Sequence, residues 1–304
     1  MASVLLTRRI PSSVLGLLEA HHAVDLHSGE GAIPRDELLR RLADKDALIC
    51  LLTDKIDGEV MDAAPGLQII ANIAVGYDNL DLPAARQRGI PVTNTPDVLT
   101  EAVAEFTWAL ILGIARRVAE GDRLVRAGAW KGWGLDFMLG MELRGKQLGI
   151  IGAGRIGRAV AAKAPAFGMR AVFAKHDMTL DELLVTSDVV SIHAPSTPET
   201  RHLINKRTLA RMKRSAILVN TARGSLVDED ALAWALGERL IAGAALDVYE
   251  REPGIQPALK DYENVVLAPH LGSATRETRT AMAELAVRNV LAVLNGKKPL
   301  TPVT

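Results

Sequence analysis

The segment Gln147-Leu-Gly-Ile-Ile-Gly152-Ala-Gly154-Arg155-Ile156-Gly157 constrains this chain more than any other. A buried apolar strand runs into a glycine turn and directly into a helical pattern, Arg155–Ala164. The first glycine permits the tight turn, the second lets the backbone approach a pyrophosphate, and the third allows close helix–strand packing. The helix start adds free amides and the positive end of a dipole. In that context the glycines read as a dinucleotide-binding loop, with Gly152, Gly154, Arg155, Ile156 and Gly157 as cofactor contacts.

The surrounding pattern is that of alternating strands and helices. Strands are expected at Ser3–Thr7, Val24–His27, Ala47–Leu52, Gln68–Ile73 and Pro91–Thr93. Helices are expected at Ser12–Ala20, Pro34–Leu42, Asp57–Ala63 and Pro83–Arg88, with Ser12 and Asp57 as N-caps and Gly89 as a C-cap. A long helix follows from about Leu99 to Val118, then a glycine-rich arm, Arg126–Gly140, carrying Trp130 and Trp133. After the glycine loop, strands at Arg170–Phe173, Val189–His193, Ile217–Asn220, Gly243–Leu246 and Val265–Leu267 alternate with helices at Leu180–Val185, Lys206–Met212 and Glu229–Leu236. A last amphipathic helix, Arg276–Leu294, is placed to pack back on the first half. The fold class is α/β, with two doubly wound parallel-sheet domains.

Composition excludes several function classes. The 36 basic and 36 acidic side chains cancel, so no basic field suggests nucleic acid. The single cysteine, Cys50, sits in an apolar run and reads as a buried structural thiol, which fits a reducing compartment. Arg8, Arg9 and Pro11 interrupt any N-terminal signal, and the apolar run Phe106–Ala115 is about half of a membrane span. A cytoplasmic protein with no membrane partner is expected, and no metal site is read.

Three stretches beyond the glycine loop carry polar chemistry at strand ends, where open α/β sheets bind ligands. Asn220-Thr221-Ala222-Arg223-Gly224 offers a planar guanidinium fork suited to carboxylate and carbonyl oxygens. Asp247-Val-Tyr-Glu250-Arg-Glu252-Pro253 places several acids after an apolar strand. Pro269-His270-Leu-Gly-Ser273 places a histidine after another, and a histidine paired with a carboxylate serves as a general acid near neutral pH. For the cofactor's ribose, a carboxylate usually ends the strand after the glycine loop. Here Ala174-Lys175-His176-Asp177 stands there, with Lys175 eighteen residues beyond Gly157. A lysine attracts a 2′-phosphate that a carboxylate repels, which favours NADP over NAD. The alternative is a solvated Lys175 with Asp177 in the acidic role.

These stretches resemble the D-isomer-specific 2-hydroxyacid dehydrogenase family over nearly the whole chain. The resemblance runs through Asn72-x-x-Val75-Gly76-x-Asp78-Asn79, Thr93-Asn-Thr-Pro96 with Glu105, the glycine loop, His193-Ala194-Pro195, Asn220–Gly224, Asp247 with Glu252-Pro253, and Pro269-His270-x-Gly-Ser273. It implies NAD(P)H-dependent reduction of a small 2-keto acid to the D-2-hydroxy acid. His270 would be the acid/base, Glu252 its carboxylate partner, and Arg223 the group binding substrate carboxylate and carbonyl. The amides of Val75 and Gly76 would receive the carboxylate, assisted by Ser273. Asp247 would bind the nicotinamide carboxamide, and Thr221, Ala222, Arg223, His193, Ala194 and Pro195 would line the cofactor.

The resemblance further implies a Rossmann cofactor domain at 99–275, a flavodoxin-like substrate domain at 1–98 plus 276–304, and a homodimer. Trp130-Lys-Gly-Trp133 followed by Leu139-Gly140 looks like the glyoxylate and hydroxypyruvate reductase branch. There Trp133 would reach the partner's active site, the alternative being an interface aromatic. One departure lies between Phe173 and Thr179, where the family carries a longer, basic, proline-rich segment, so the NADP preference loses support there. Two other readings are a short phosphoglycerate dehydrogenase linked to NAD and a dinucleotide-sensing scaffold like the C-terminal-binding corepressors. Formate and phosphite dehydrogenases share the fold, but the additional site residues they require are not found.

Overall fold

A computed structural model describes residues 1–303. The chain divides into two compact units, Met1–Leu99 with Thr275–Thr304, and Thr100–Ala274.

The first unit holds β1 (Ser3–Leu6), α1 (Ser12–Glu19), β2 (Ala23–Leu26), α2 (Arg35–Leu42), β3 (Ala47–Cys50), α3 (Gly58–Asp62), β4 (Ile69–Asn72), α4 (Leu82–Gln87), β5 (Val92–Thr93) and α11 (Arg276–Leu294). Its five strands are parallel in the order β2-β1-β3-β4-β5, the flavodoxin-like arrangement. β3 and β4 are buried throughout, as expected of strands covered on both faces by helices. The last helix packs on β3, β4 and α1 through Met282, Ala286, Val287 and Val290. Asn289, fully buried on that helix, ties down the following segment by accepting from the amides of Leu300 and Thr301. Cys50 is buried as expected, and burial pushes its thiol pKa well up.

The second unit holds α5 (Thr100–Ala115), α6 (Val118–Arg126), β6 (Gln147–Ile151), α7 (Arg155–Lys163), β7 (Arg170–Phe173), α8 (Leu180–Thr186), β8 (Val189–Ile192), α9 (Lys206–Leu209), β9 (Ile217–Asn220), α10 (Glu229–Gly237), β10 (Gly243–Leu246) and β11 (Val265–Leu267). Its six parallel strands run β11-β10-β9-β8-β6-β7. The chain leaves β6 for β7 on one side and returns to β8 on the other, so the order reverses beside the glycine loop. A dinucleotide sheet of order 3-2-1-4-5-6 carries one strand more outside the position of β7. Here only the turn 174–178 joins β7 to the Thr179–Glu182 capping box of α8, and β7 is the sheet edge.

The pattern misleads in two places. Ser12 is not an N-cap: it is the first helical residue, and Pro11, which has no side-chain acceptor, takes the cap position. The helix expected through Val118 breaks at Arg117, which sits at φ +54 and starts a second helix in a new direction. Apolar periodicity continues across that break, so spacing alone does not reveal it. Asp57 caps α3 by accepting from the Val60 amide, and Gly89 follows the C-cap Arg88 at φ +65. Among the described residues no helix is long and apolar enough to cross a membrane.

Candidate active site

The glycine loop closes the carboxyl end of β6. Gly152 takes φ +108, and a side chain there would strike the His193 carbonyl at the end of β8. A methyl at Gly157 would be driven into the Gly152 carbonyl, so the helix can start only against a bare backbone. Nothing lies within 4 Å of where a Gly154 side chain would stand. That open space, at the start of α7 and beside the positive end of its dipole, fits a pyrophosphate. Arg155 is exposed, Ile156 half-buried, and Arg158 donates to the Ala153 carbonyl at 2.8 Å, bracing the turn.

His193 leaves β8 with its Nε2 2.8 Å from Ser191 Oγ, and burial lowers its pKa to about 3, so the ring stays neutral. Ala194 is half-buried and Pro195 exposed. At the end of β7, Lys175 and His176 are exposed, Lys175 at φ +65, while Asp177 accepts the Phe173 amide at 2.7 Å. The acid is thus folded back on the strand and the lysine projects.

The polar loops after β9, β10 and β11 interlock. After β9, Asn220 makes an Asx turn: its Oδ1 accepts the Ala222 amide at 3.0 Å and its Nδ2 donates to the Arg223 carbonyl at 2.8 Å. Thr221 is buried, its hydroxyl 2.9 Å from that of Thr107. The Arg223 guanidinium donates to the Ala222 carbonyl at 2.8 Å. Gly224 is packed so tightly on Tyr249 that an added Cβ would overlap the Tyr249 carbonyl. That contact joins the arginine loop to the acidic loop.

After β10, Asp247 is 1% exposed. Its two oxygens accept the amides of Leu271 (2.6 Å) and Gly272 (2.8 Å), and its carbonyl accepts the His270 amide at 2.9 Å. Burial raises its pKa, and the two amides and His270 counter that. These bonds hold His270 at φ +54, a conformation unfavourable for a side chain of this size, which persists because its surroundings fix it. Tyr249 donates to the Ala268 carbonyl at 2.9 Å, and burial pushes its pKa up to about 12, so it stays a neutral donor.

His270 Nδ1 and Glu252 Oε2 are 2.9 Å apart. Burial works to raise the Glu252 pKa, but the His270 bond and charge, the Tyr249 amide (3.0 Å to Oε1) and the Arg223 charge more than offset it. The carboxylate is therefore ionised and can only accept, so Nδ1 carries the proton and Nε2 is the nitrogen left for substrate. Ser273 is half-buried three residues on.

The structure thus brings Arg223, Glu252 and His270 together on adjacent strand-end loops. In the first unit, Val75 and Gly76 form a half-buried turn after β4. Trp133 stands apart on the arm of the second unit, 82% exposed.

Sequence reasoning missed three supports. Glu229, buried at the start of α10, accepts the amides of Glu250 (2.6 Å) and Gln256 (3.0 Å) and so clasps both ends of the loop bearing Glu252. Glu229 reads in sequence only as a helix-start acid. Tyr249 reads as a core aromatic. Asn220, an asparagine closing an apolar strand, does carry a turn signal. A cavity of about 790 Å³ in this unit, lined by Ile114, Arg117, Leu139 and Tyr262 among others, lies at the amino ends of the strands and holds none of these groups.

The family model for the NAD-binding domain of D-isomer specific 2-hydroxyacid dehydrogenases matches residues 108–272. A glyoxylate reductase of Thermofilum pendens is 51% identical over 97% of this chain and 92% of its own length. One of Thermococcus kodakarensis is 48% identical over 99% and 95%. Among solved structures, the TT0316 protein of Thermus thermophilus is 50% identical with a TM-score of 0.94, covering 99% of this chain and 100% of that one. The NADPH-dependent glyoxylate/hydroxypyruvate reductase of Sinorhizobium meliloti, solved with NADP and malonate, is 34% identical with a TM-score of 0.88, covering 100% and 97%.

Proposed function

The chain belongs to the D-isomer-specific 2-hydroxyacid dehydrogenase family, and from that premise we propose that it reduces a small 2-keto acid such as glyoxylate or hydroxypyruvate to the D-2-hydroxy acid. The observation that carries this reading is the 2.9 Å bond between His270 and an ionised Glu252, within electrostatic reach of Arg223.

The bound nicotinamide dinucleotide supplies the hydride; the open Gly154 position and the start of α7 would hold its pyrophosphate. His270 Nε2 delivers the proton to the carbonyl oxygen. Glu252 fixes the ring through Nδ1 and balances the charge of the protonated imidazole. Arg223 binds the carbonyl and carboxylate oxygens and draws electron density from the carbon under attack. The amides of Val75 and Gly76 receive the carboxylate, and Ser273 assists. His193, Ala194, Pro195, Thr221 and Ala222 line the cofactor. Asp247 reaches the carboxamide only with an oxygen that already accepts an amide, so its first task is to hold the His270 turn.

NADPH is the preferred donor on this reading, because Lys175 projects where a 2′-phosphate would lie while Asp177 is folded back. The Sinorhizobium meliloti relative was solved with NADP; for this chain the preference rests on Lys175. The active form is a homodimer, and Trp133 of one protomer meets the active site of its partner.

Initial rates of NADPH and NADH oxidation with glyoxylate, hydroxypyruvate and pyruvate test the reading. Strong turnover with the first two is expected, faster with NADPH. Silence with every keto acid would point instead to a dinucleotide sensor. Replacing the proton donor (His270→Ala) is expected to lower kcat about 10²–10⁴-fold while cofactor affinity, measured by fluorescence, stays within about twofold.

A further inference from the structure

Three successive carbonyls after β4 are taken up inside the first unit. Ala74 O accepts from the Thr95 amide at 2.9 Å, Val75 O from Asn94 Nδ2 at 2.8 Å, and Gly76 O from Asn72 Nδ2 at 2.9 Å. In a trans peptide the carbonyl and the following N–H point in opposite directions. Fixing those three carbonyls therefore turns the N–H groups of Val75, Gly76 and Tyr77 the other way. None of these three amides has a hydrogen-bond acceptor among the described residues. Accessibility rises along the turn, from buried Ala74 to exposed Tyr77, so the amides face outward.

The two asparagines are unlike the turn they hold. Asn72 is fully buried at the end of β4, and its amide is itself placed by contact with Asn79 Oδ1 (3.4 Å). Asn79 in turn donates to the carbonyls of Leu51 and Asp54, anchoring the loop after β3. Asn94 is buried after β5, where its carbonyl accepts the Thr301 hydroxyl at 2.6 Å. From those positions each amide side chain donates to a carbonyl while remaining neutral. An aspartate would repel both carbonyls, and an apolar side chain would leave them unpaired in the interior.

We propose that Asn72 and Asn94 are positioning residues that set the amides of Val75, Gly76 and Tyr77 as a three-donor nest for the substrate carboxylate. Successive amides facing one way form an anion-binding concavity. Tyr77 N–H is then a carboxylate donor alongside the two that the family resemblance implies. The inference rests on the reading that this turn takes the carboxylate, and its test does not depend on turnover alone.

Wild type and Asn94→Ala are compared with cofactor saturating, reading KM and kcat for glyoxylate, the dissociation constant of oxalate from the cofactor complex, and Tm. The loss of one donor's alignment is expected to raise KM and the oxalate constant together, about tenfold, with kcat within about threefold. An unchanged KM and oxalate constant, or a fall in kcat and Tm at constant KM, overturns the proposal. If the wild type reduces no keto acid, the functional reading fails, and the oxalate constants alone decide: about tenfold weaker binding in Asn94→Ala supports the nest and equal binding refutes it. If Asn94→Ala does not fold, an ester at position 77, introduced with p-hydroxyphenyllactate, removes the single N–H and leaves the side chain. A rise in the oxalate constant of about tenfold is expected there, and no change removes Tyr77 from the nest.

Discussion

At the scale of the residue, the site depends on which atom of each side chain is free. Glu252 holds His270 by Nδ1, and on the proposed reading Nε2 serves the reaction. Arg223 donates from one guanidinium nitrogen to the Ala222 carbonyl, and on the proposed reading its planar fork is what binds the substrate oxygens. An ammonium keeps the charge but not the fork, so Arg223→Lys should lower kcat/KM by about a hundredfold, the scale of one charge-assisted bond. Steady-state kinetics with glyoxylate checks this; near-normal values would remove Arg223 from the reaction. Asp247 carries a structural duty that its place after a strand does not reveal: its two oxygens accept backbone amides of the histidine turn.

At the scale of the element, loops at strand ends are held by contacts with no tolerance. Gly224 lies against the Tyr249 backbone, so Gly224→Ala must push the arginine loop off the acidic loop. Overpacking of this kind costs about 1–3 kcal/mol, and both Tm and kcat are expected to fall. A variant with unchanged kcat would show that the two loops move independently. At the amino end of the same sheet, Asp188 joins the start of β6 to α9's neighbour Lys213, accepting the Gln147 amide at 2.9 Å and Lys213 at 3.0 Å. Burial works to raise its pKa, but the Gln147 amide and the two lysines bring the net shift downward. A depressed carboxylate stabilises the fold above its unfolded pKa, about 3.9, and that contribution is lost as pH falls through the lower folded value. Asp188→Asn should therefore lower Tm at pH 7, and the difference from wild type should shrink as pH falls below the unfolded carboxylate value, about 3.9. A pH-independent difference would place the effect in packing instead.

At the scale of the whole molecule, the stretch 118–139 is unlike the rest of the surface. Val118, Val125, Trp130, Trp133, Leu135 and Leu139 are all exposed, Leu135 at 83%. So many exposed apolar side chains on one stretch suit an interaction face, and the cavity at the amino ends of the strands is walled in part by the same stretch. A second copy covering that face accounts for the arm without invoking another partner. Light scattering should give a dimer, and Leu135→Asp should shift it toward monomer with a parallel loss of activity. A monomeric wild type with full turnover would refute both the dimer and the Trp133 contribution.

Much of this protein was legible before any coordinates. Most strands are short buried runs, and short apolar runs located the eleven strands of the described residues, the partly exposed β2 and β7 included; the glycine spacing located the turn that only a bare backbone can make. That Arg223, Glu252 and His270 stand on strand-end loops was legible because each follows an apolar strand. What sequence could not give is whatever depends on direction or on partners distant in the chain. The break at Arg117 is a backbone dihedral inside an unbroken apolar pattern. Glu229 reaches Glu250 and Gln256 across more than twenty residues, and Asn94 and Asn72 approach the 74–76 turn from two different strands. Residue type and spacing determine which segments are strands, helices and turns, because those forces are local. Which carbonyl an asparagine finds, and which way an amide then points, is decided only when the sheets and helices have packed.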